Sequence, residues 1–211
     1  VPLLGAAVVV TFGSCLPISA RHKLGAEVRT MATLVGYASR YGATRGIAER
    51  IADTLASAGH PAQARPVQAV GDLVRYDSCV IGSAAYMGSW LREAREFVRI
   101  NQRLLTTRPV WLFSSGPLGI ATTDAKGRDV LVTSEPKEFA EFREAVSPRG
   151  TRVFFGALNP GQLRFSHRAA RLIPAARVLM PEGDFRNWAD IDAWATSIAS
   201  ELTGVLEPAL A

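Results

Sequence analysis

Residues 33–55 read TLVGYASRYGATRGIAERIADTL, and their reading decides the fold. Thr33 to Ala38 is short, β-rich and mostly apolar, which predicts a central strand. Ser39-Arg40-Tyr41-Gly42-Ala43-Thr44 is a turn. From Thr44 the period changes: Ile47, Ile51 and Leu55 recur four apart, with Ala48, Ala52 and Ala58 filling in. That spacing predicts an amphipathic helix, ended by Gly59 and Pro61.

The same alternation runs outward along the chain. A short strand is predicted around Ala62–Val67, a turn or short helix near Val70–Tyr76, and the strand SCVIGS over Ser78–Ser83. Leu91 to Leu105 is expected to be helical, with Phe97, Ile100, Leu104 and Leu105 inward. Pro109 opens the strand PVWLFSS, which ends at Ser115. Residues 116–134, punctuated by Gly116, Pro117, Gly119 and Gly127, read as a loop or partly ordered insertion. Pro136 to Val146 reads as a helix with Phe139, Phe142 and Val146 on one side. TRVFFGAL, Thr151–Leu158, reads as one buried strand. Gly161 to Ile173 is expected to be a short amphipathic helix, and a last helix starts near Asn187 or Trp188 and runs to Leu202, with Ile191, Trp194, Ile198 and Leu202 inward. Strand and helix alternate throughout, which argues for an α/β domain with a largely parallel sheet.

Length and composition fit that reading. A chain of 211 residues makes one domain, 48% hydrophobic and 20% charged, so wholesale disorder and coiled coil are excluded. No run reaches the ~18–20 apolar residues of a membrane-spanning helix. Two cysteines, Cys15 and Cys79, make no disulfide framework, and three histidines add no zinc-ligand spacing. The net charge of +5 suits an anionic partner without naming one. Residues 1–30 are expected to stand outside the fold, the domain covering 31–211. The apolar stretch from Leu3 to Leu16 lacks the preceding positive charge of a signal peptide. A literal reading of an alternative start codon, with the real start at Met31, accounts for the segment; an export or membrane-association segment and a structured extension are the alternatives.

Three loops fall where open parallel sheets bind ligands, beyond the carboxyl ends of strands. In the first, Ser39, Arg40, Tyr41, Gly42, Ala43 and Thr44 place a hydroxyl at each end and a glycine inside, at the start of a helix whose first amides can hold an anion. The same residues would also serve as an ordinary helix cap, and neither a Walker A loop nor GxGxxG is present. The second loop, Ser83, Ala84, Ala85, Tyr86, Met87 and Gly88, offers small residues for close approach and one flat ring. The third is Ser114, Ser115, Gly116, Pro117, Leu118 and Gly119. Together they suit one phosphate and one planar ring.

The segment TLVGYASRYGATRGIAERIADTL, with YDSCVIGSAAYMG, WLFSSGPLG and the late EGDFRNWADIDAWA, resembles the flavodoxin-like family that includes menaquinone-dependent protoporphyrinogen oxidase. The match covers most of residues 31–204. The resemblance implies an open five-stranded parallel sheet of order 2-1-3-4-5 with helices on both faces. It implies FMN as cofactor, its phosphate within Ser39–Thr44, its ring beside Ser83–Gly88 and closed over by Ser114–Gly119. It implies an FMN-dependent oxidoreductase in the cytoplasm, with protoporphyrinogen IX as a candidate reductant and a quinone as a candidate acceptor. An FMN carrier serving a protein partner and a non-catalytic binding module of the same fold are the alternatives. Electron-carrying short-chain flavodoxins are typically acidic; this chain is basic and its third loop lacks their acidic and aromatic residues.

Ala145 to Pro181 contains no acidic residue. If 162–173 is helical, Arg164, Arg168 and Arg171 share a face beside Phe165, Ala169 and Leu172. Such a helix would meet an anionic membrane, at the inner face of the cell membrane, or a carboxylate-bearing substrate; a solvated surface is the plainer alternative. No reader motif or aromatic-interleaved basic stripe points to nucleic acid, and no metal is expected. Cys79 is expected to be a small buried apolar residue.

Overall fold

The computed structural model describes residues 32–163 and 181–206. Its central sheet has the order β2-β1-β3-β5-β6. These are β1 (Thr33–Ala38), β2 (Ala62–Pro66), β3 (Ser78–Tyr86), β5 (Val110–Ser115) and β6 (Gly150–Phe154), all parallel. A short β4 (Ser89–Trp90) turns back antiparallel on the end of β3. Counting parallel strands alone, this is the 2-1-3-4-5 order expected from the resemblance.

The helices are α1 (Ala43–Ser57), α2 (Arg92–Ile100), α3 (Gln102–Leu105), α4 (Val130–Thr133), α5 (Glu138–Val146) and α6 (Trp188–Leu206). Side chains alternate across a strand, so neighbours in sequence enter different cores. Val35, Val80, Trp111 and Phe113 pack with Ile47, Ile51 and Leu55 of α1 and Ile191, Ala195 and Ile198 of α6. Leu34, Ile81 and Leu112 pack with Ala94 and Val98 of α2 and Phe139 and Phe142 of α5. The second face completes a doubly covered sheet, the condition under which all-parallel strands read as continuous apolar runs. α1 stops in a Schellman motif: Gly59 is left-handed at φ 89°, its amide bonds Ala56 O, and the His60 amide bonds Leu55 O at 2.9 Å.

Three expectations change. The helix read over 91–105 is broken: Asn101 Nδ2 donates to Phe97 O at 2.8 Å, and a separate turn, α3, follows. Its buried stripe is Ala94, Val98 and Leu105, which leaves Ile100 81% exposed rather than inward; Phe97 and Leu104 pack at the margin. TRVFFGAL is two strands, because the chain leaves the sheet after Phe154 and re-pairs as β7 (Ala157–Leu158) with β8 (Gly183–Asp184). Residues 116–134 are partly ordered, which agrees with their reading as a loop or partly ordered insertion. Asp124 accepts from the amides of Lys126 and Arg128, and Asp129 caps α4 by accepting from Leu131 and Val132. The last helix continues beyond Leu202 to Leu206. Where the helix over 161–173 is expected to start, the chain instead makes a 3-10 turn, Pro160–Gln162, followed by extended Leu163; the expectations for residues 1–30, for 164–173, and for Arg164, Arg168 and Arg171 lie outside the described residues.

Candidate functional site

β1 is flanked by β2 on one side and β3 on the other, so the chain after β1 and the chain after β3 leave the sheet at a topological switch point, where such folds bind ligands. Ala38 lies opposite Ser83, and Ala84 opposite Ser115. The first three loops therefore emerge side by side, as expected.

The first loop is shaped by Gly42, which takes φ 86° as the N-cap of α1, a conformation that costs an L-residue about 1–2 kcal/mol. Ser39 Oγ accepts from the Gly42 amide at 3.1 Å. Gly42, as the N-cap, has no side chain with which to cap α1. The amides of its first turn, with the positive end of the helix dipole, are thus left without an N-cap side-chain partner where Ala43 and Thr44 line the cavity. Thr44 is buried, and its Oγ1 lies 2.8 Å from Ser115 Oγ, also buried. That bond ties the first loop to the third. The two hydroxyls share two protons and use one between them, so one O–H remains to donate to a ligand.

Ser39, Arg40, Tyr41, Ala43, Thr44, Ala84, Ala85, Tyr86, Met87, Ser115, Gly116 and Leu118 line a cavity of about 390 Å³, within the usual range for small-molecule sites. The remaining expected residues support it. Ser83 is fully buried: its hydroxyl donates to Ala84 O and accepts from the Leu91 amide. Ser114 donates to Ser83 O. Pro117 O accepts from the Gly156 amide at 2.8 Å. Gly88 and Gly119 are left-handed turn residues at φ 72° and 107°. Gly116 permits a close approach, since a Cβ there would stand 3.3 Å from Ala85 O.

A fourth wall was not foreseen. Gly156, Ala157, Leu158 and Leu163 also line the cavity. The signal was present in Gly156, a glycine inside an otherwise apolar β run, which marks a break or a close backbone approach. Beyond Tyr41, Ala43, Ala157 and Leu158 lies a second, polar cavity of about 460 Å³, lined also by Gly42, Asn159, Gln162, Glu182, Asp184 and Arg186. Arg186 clasps Asp184 through two bonds of 2.7 and 2.6 Å, donates to Ala43 O at 3.3 Å, and stacks 4.4 Å over Trp188. Hydrogen bonding from Arg186 holds the Asp184 carboxyl below its ordinary range.

Among the described residues, the lining of the first cavity includes no carboxylate and one cation, Arg40, whose guanidinium stands 5.4 Å over the Tyr86 ring. Burial raises the Tyr86 phenol above its ordinary value; Tyr41 adds to this and Arg40 opposes it. Tyr86 thus stays neutral near pH 7. Cys79 is buried and burial pushes its thiol up to about 12, which suits an inert packing residue. Among the described residues, no group of three or more His, Cys, Asp or Glu comes together to hold a metal. No helix among them is long and apolar enough to cross a membrane.

The model of the Flavodoxin domain matches residues 34–171, well over half of the chain. The chain belongs to the flavodoxin domain family. No curated protein matches the sequence. Among solved structures, rubredoxin oxygen:oxidoreductase from Desulfovibrio gigas aligns with a TM-score of 0.53 at 13% identity, over 83% of this chain and 37% of that one. The chain therefore spans little more than a third of that protein. A cysteine-to-serine variant of the flavodoxin from Pseudomonas aeruginosa aligns with a TM-score of 0.50 at 14% identity, over 82% of this chain and 99% of the other. Both share the fold.

FMN is the cofactor of this family, and the residues present fit it. The first turn of α1 with its glycine N-cap, the spare hydroxyl proton of the Thr44–Ser115 pair and a lining without carboxylates among the described residues suit a phosphate dianion. Ala84, Ala85, Leu118, Ala157 and Leu158, with the Tyr86 face, supply the apolar walls a planar ring needs.

Proposed function

We propose that this flavodoxin-domain protein is an FMN-dependent oxidoreductase that exchanges electrons with its partner at the mouth of the 390 Å³ cavity. The observation that carries the reading is the pairing of an anion cradle, free of carboxylates among the described residues, with an apolar ring slot whose rim is open. Tyr86 is 40% exposed and Met87 99% exposed at that rim. When bound, FMN supplies the redox chemistry. The chain binds its phosphate through the first-turn amides of α1, orients its ring between the Tyr86 and Leu118 loops, and places the Arg40 cation beside it. Arg40 favours an anionic ligand or partner there.

The finer reading is oxidation of protoporphyrinogen IX with a quinone acceptor. It is supported by the sequence resemblance and by an open, apolar rim next to a cation, which suits a large flat molecule bearing carboxylates. Each pair of electrons and protons removed from the porphyrinogen reduces one quinone to its quinol, so the turnover balances. Arg164, Arg168 and Arg171 remain proposed contacts for that substrate, or for an anionic membrane, on sequence grounds. The exposed rim equally supports an electron carrier for a redox protein. The test is anaerobic mixing of the FMN-loaded protein with protoporphyrinogen IX, followed by a soluble quinone. Bleaching of the flavin band by the porphyrinogen and its return with quinone supports the oxidase reading. A band unchanged by porphyrinogen, but bleached by a reductase system and restored by a redox protein, assigns the carrier role instead.

A further inference from the structure

The hairpin that carries Tyr86 closes on a turn its sequence disfavours. Its two-residue turn, Met87-Gly88, has φ 51° and 72°, and Tyr86 pairs with Ser89 across it. Glycine accepts such a conformation; methionine disfavours it. Met87 is almost fully exposed, so no packing of its own side chain compensates. Contacts from outside the hairpin therefore matter to the turn beside its own ladder bonds.

The start of α5 holds it. The Lys137 amide donates to Gly88 O at 3.0 Å. The next residue, Glu138, is 6% exposed, and its Oε2 accepts from the Trp90 amide at 3.1 Å. Arg95 Nη1, from α2, lies 3.5 Å from Glu138 Oε1. The Trp90 indole then meets Phe139 edge-on at 5.4 Å and Phe142 at 5.5 Å. Lys137, the N-cap of α5, and Glu138, its first residue, therefore grip the turn and the return strand of the hairpin. A buried carboxylate is costly unless paired and hydrogen-bonded. An apolar side chain could fill the same space, but only an acceptor can satisfy the Trp90 amide.

We propose that Glu138 is a positioning residue for the cofactor's ring: by fixing the Trp90 amide, alongside the Lys137–Gly88 bond, it sets where Tyr86 stands at the cavity mouth. This rests on the reading that a flavin ring lies against Tyr86. Glu138 itself does not line the cavity, so any effect on the ring passes through the hairpin.

The test is a double-mutant cycle on the full chain, reading dissociation constants for FMN and riboflavin beside thermal stability. Tyr86→Ala should weaken both flavins by about two- to tenfold, the range an aromatic contact supplies. Glu138→Leu should weaken both by a similar factor, and Glu138→Gln, which keeps an acceptor oxygen, should stay close to the parent. In the Tyr86→Ala background, Glu138→Leu should add no further loss of affinity, although its cost in stability should persist. Lys137→Pro removes the amide that binds Gly88, together with the Lys137 side chain, at a backbone angle of φ −55° that proline accepts. It should reproduce the same pattern if Glu138→Leu does not fold. If Tyr86→Ala leaves both flavins unchanged, the ring reading fails and the proposal with it. If Tyr86→Ala weakens binding while Glu138→Leu or Lys137→Pro does not, or their losses add to that of Tyr86→Ala, the ring reading stands and the positioning role is overturned. Failure of Glu138→Gln to rescue also overturns it.

Discussion

Thr44→Val keeps a β-branched side chain of the same size and deletes one hydroxyl, so it isolates the bond between Thr44 Oγ1 and Ser115 Oγ, 2.8 Å apart and buried. In the cofactor-free protein the variant leaves the Ser115 hydroxyl, 3% exposed by residue, without that partner. A buried polar group deprived of its partner costs about 1–3 kcal/mol. Ser115→Ala makes the same break from the other side. The double variant removes both groups and should cost less than the sum of the two, with a coupling of about 0.5–3 kcal/mol. FMN adds a second effect. The spare O–H of the pair is expected to reach the phosphate, and a hydrogen bond to a charged group contributes about 1.5–3 kcal/mol, or roughly a ten- to hundredfold rise in dissociation constant when lost. Riboflavin has no phosphate and should hardly respond. Calorimetry with both ligands, beside urea unfolding of the cofactor-free variants, separates the two effects. An equal loss for riboflavin and FMN would refute the phosphate role and leave Thr44 as a structural link between loops.

Further outcomes follow from the packing and the charges. Gly82 lies opposite Phe113, and a Cβ on it would fall 2.1 Å from Phe113 Cζ, whose ring is boxed in by Phe154 and Trp194; Gly82→Ala should therefore lose at least about 1–3 kcal/mol of stability, seen as a lower midpoint in thermal unfolding. Met87→Asn would create the Asn-Gly pair that a left-handed two-residue turn prefers, and should raise stability by up to about 1 kcal/mol in urea unfolding. Asp192 accepts two bonds from Arg50 and one from Thr54, linking α1 to α6, and the bonds from Arg50 lead in depressing its carboxyl. A depressed folded-state value means stability that is present above the unfolded value, about 3.9, and lost as pH falls through the lower folded one. Asp192→Asn should thus be less stable than the parent at pH 7, with the gap closing below about pH 4; a gap that stays constant to pH 2 would show that the charge contributes nothing.

Much of this fold is legible because its strands are buried on both faces and its helices on one, which gives two distinct periods. Thr33–Ala38 and Ala43–Ser57 are read almost to the residue. The strand order was supplied by resemblance, since periodicity cannot order strands. Errors fall where one residue outweighs the pattern: Asn101 breaks a helix that its apolar spacing continues, and Gly156 breaks a strand that its hydrophobicity continues. The first loop is legible because a glycine turn before an amphipathic helix has a local physical meaning. The Thr44–Ser115 bond joins residues 71 apart in sequence, and nothing local announces it. Glu138 looks like any charge on a helix face until tertiary structure buries it against the Trp90 amide. Ser83 and Ser114 illustrate the converse: they stand in the right loops, but the pleat sends their hydroxyls beneath the cavity.

The central claim is that the first turn of α1 holds a terminal monophosphate while the adjoining cavity holds the flavin ring. The most direct measurement is titration of the cofactor-free protein with FMN, riboflavin, FAD and NAD under one set of conditions in a calorimeter. FMN should be the tightest ligand, with riboflavin weakened by loss of the phosphate contacts, FAD weaker than FMN because its phosphate is esterified, and NAD weakest. FAD or NAD binding as tightly as FMN, or riboflavin matching FMN, would contradict the claim.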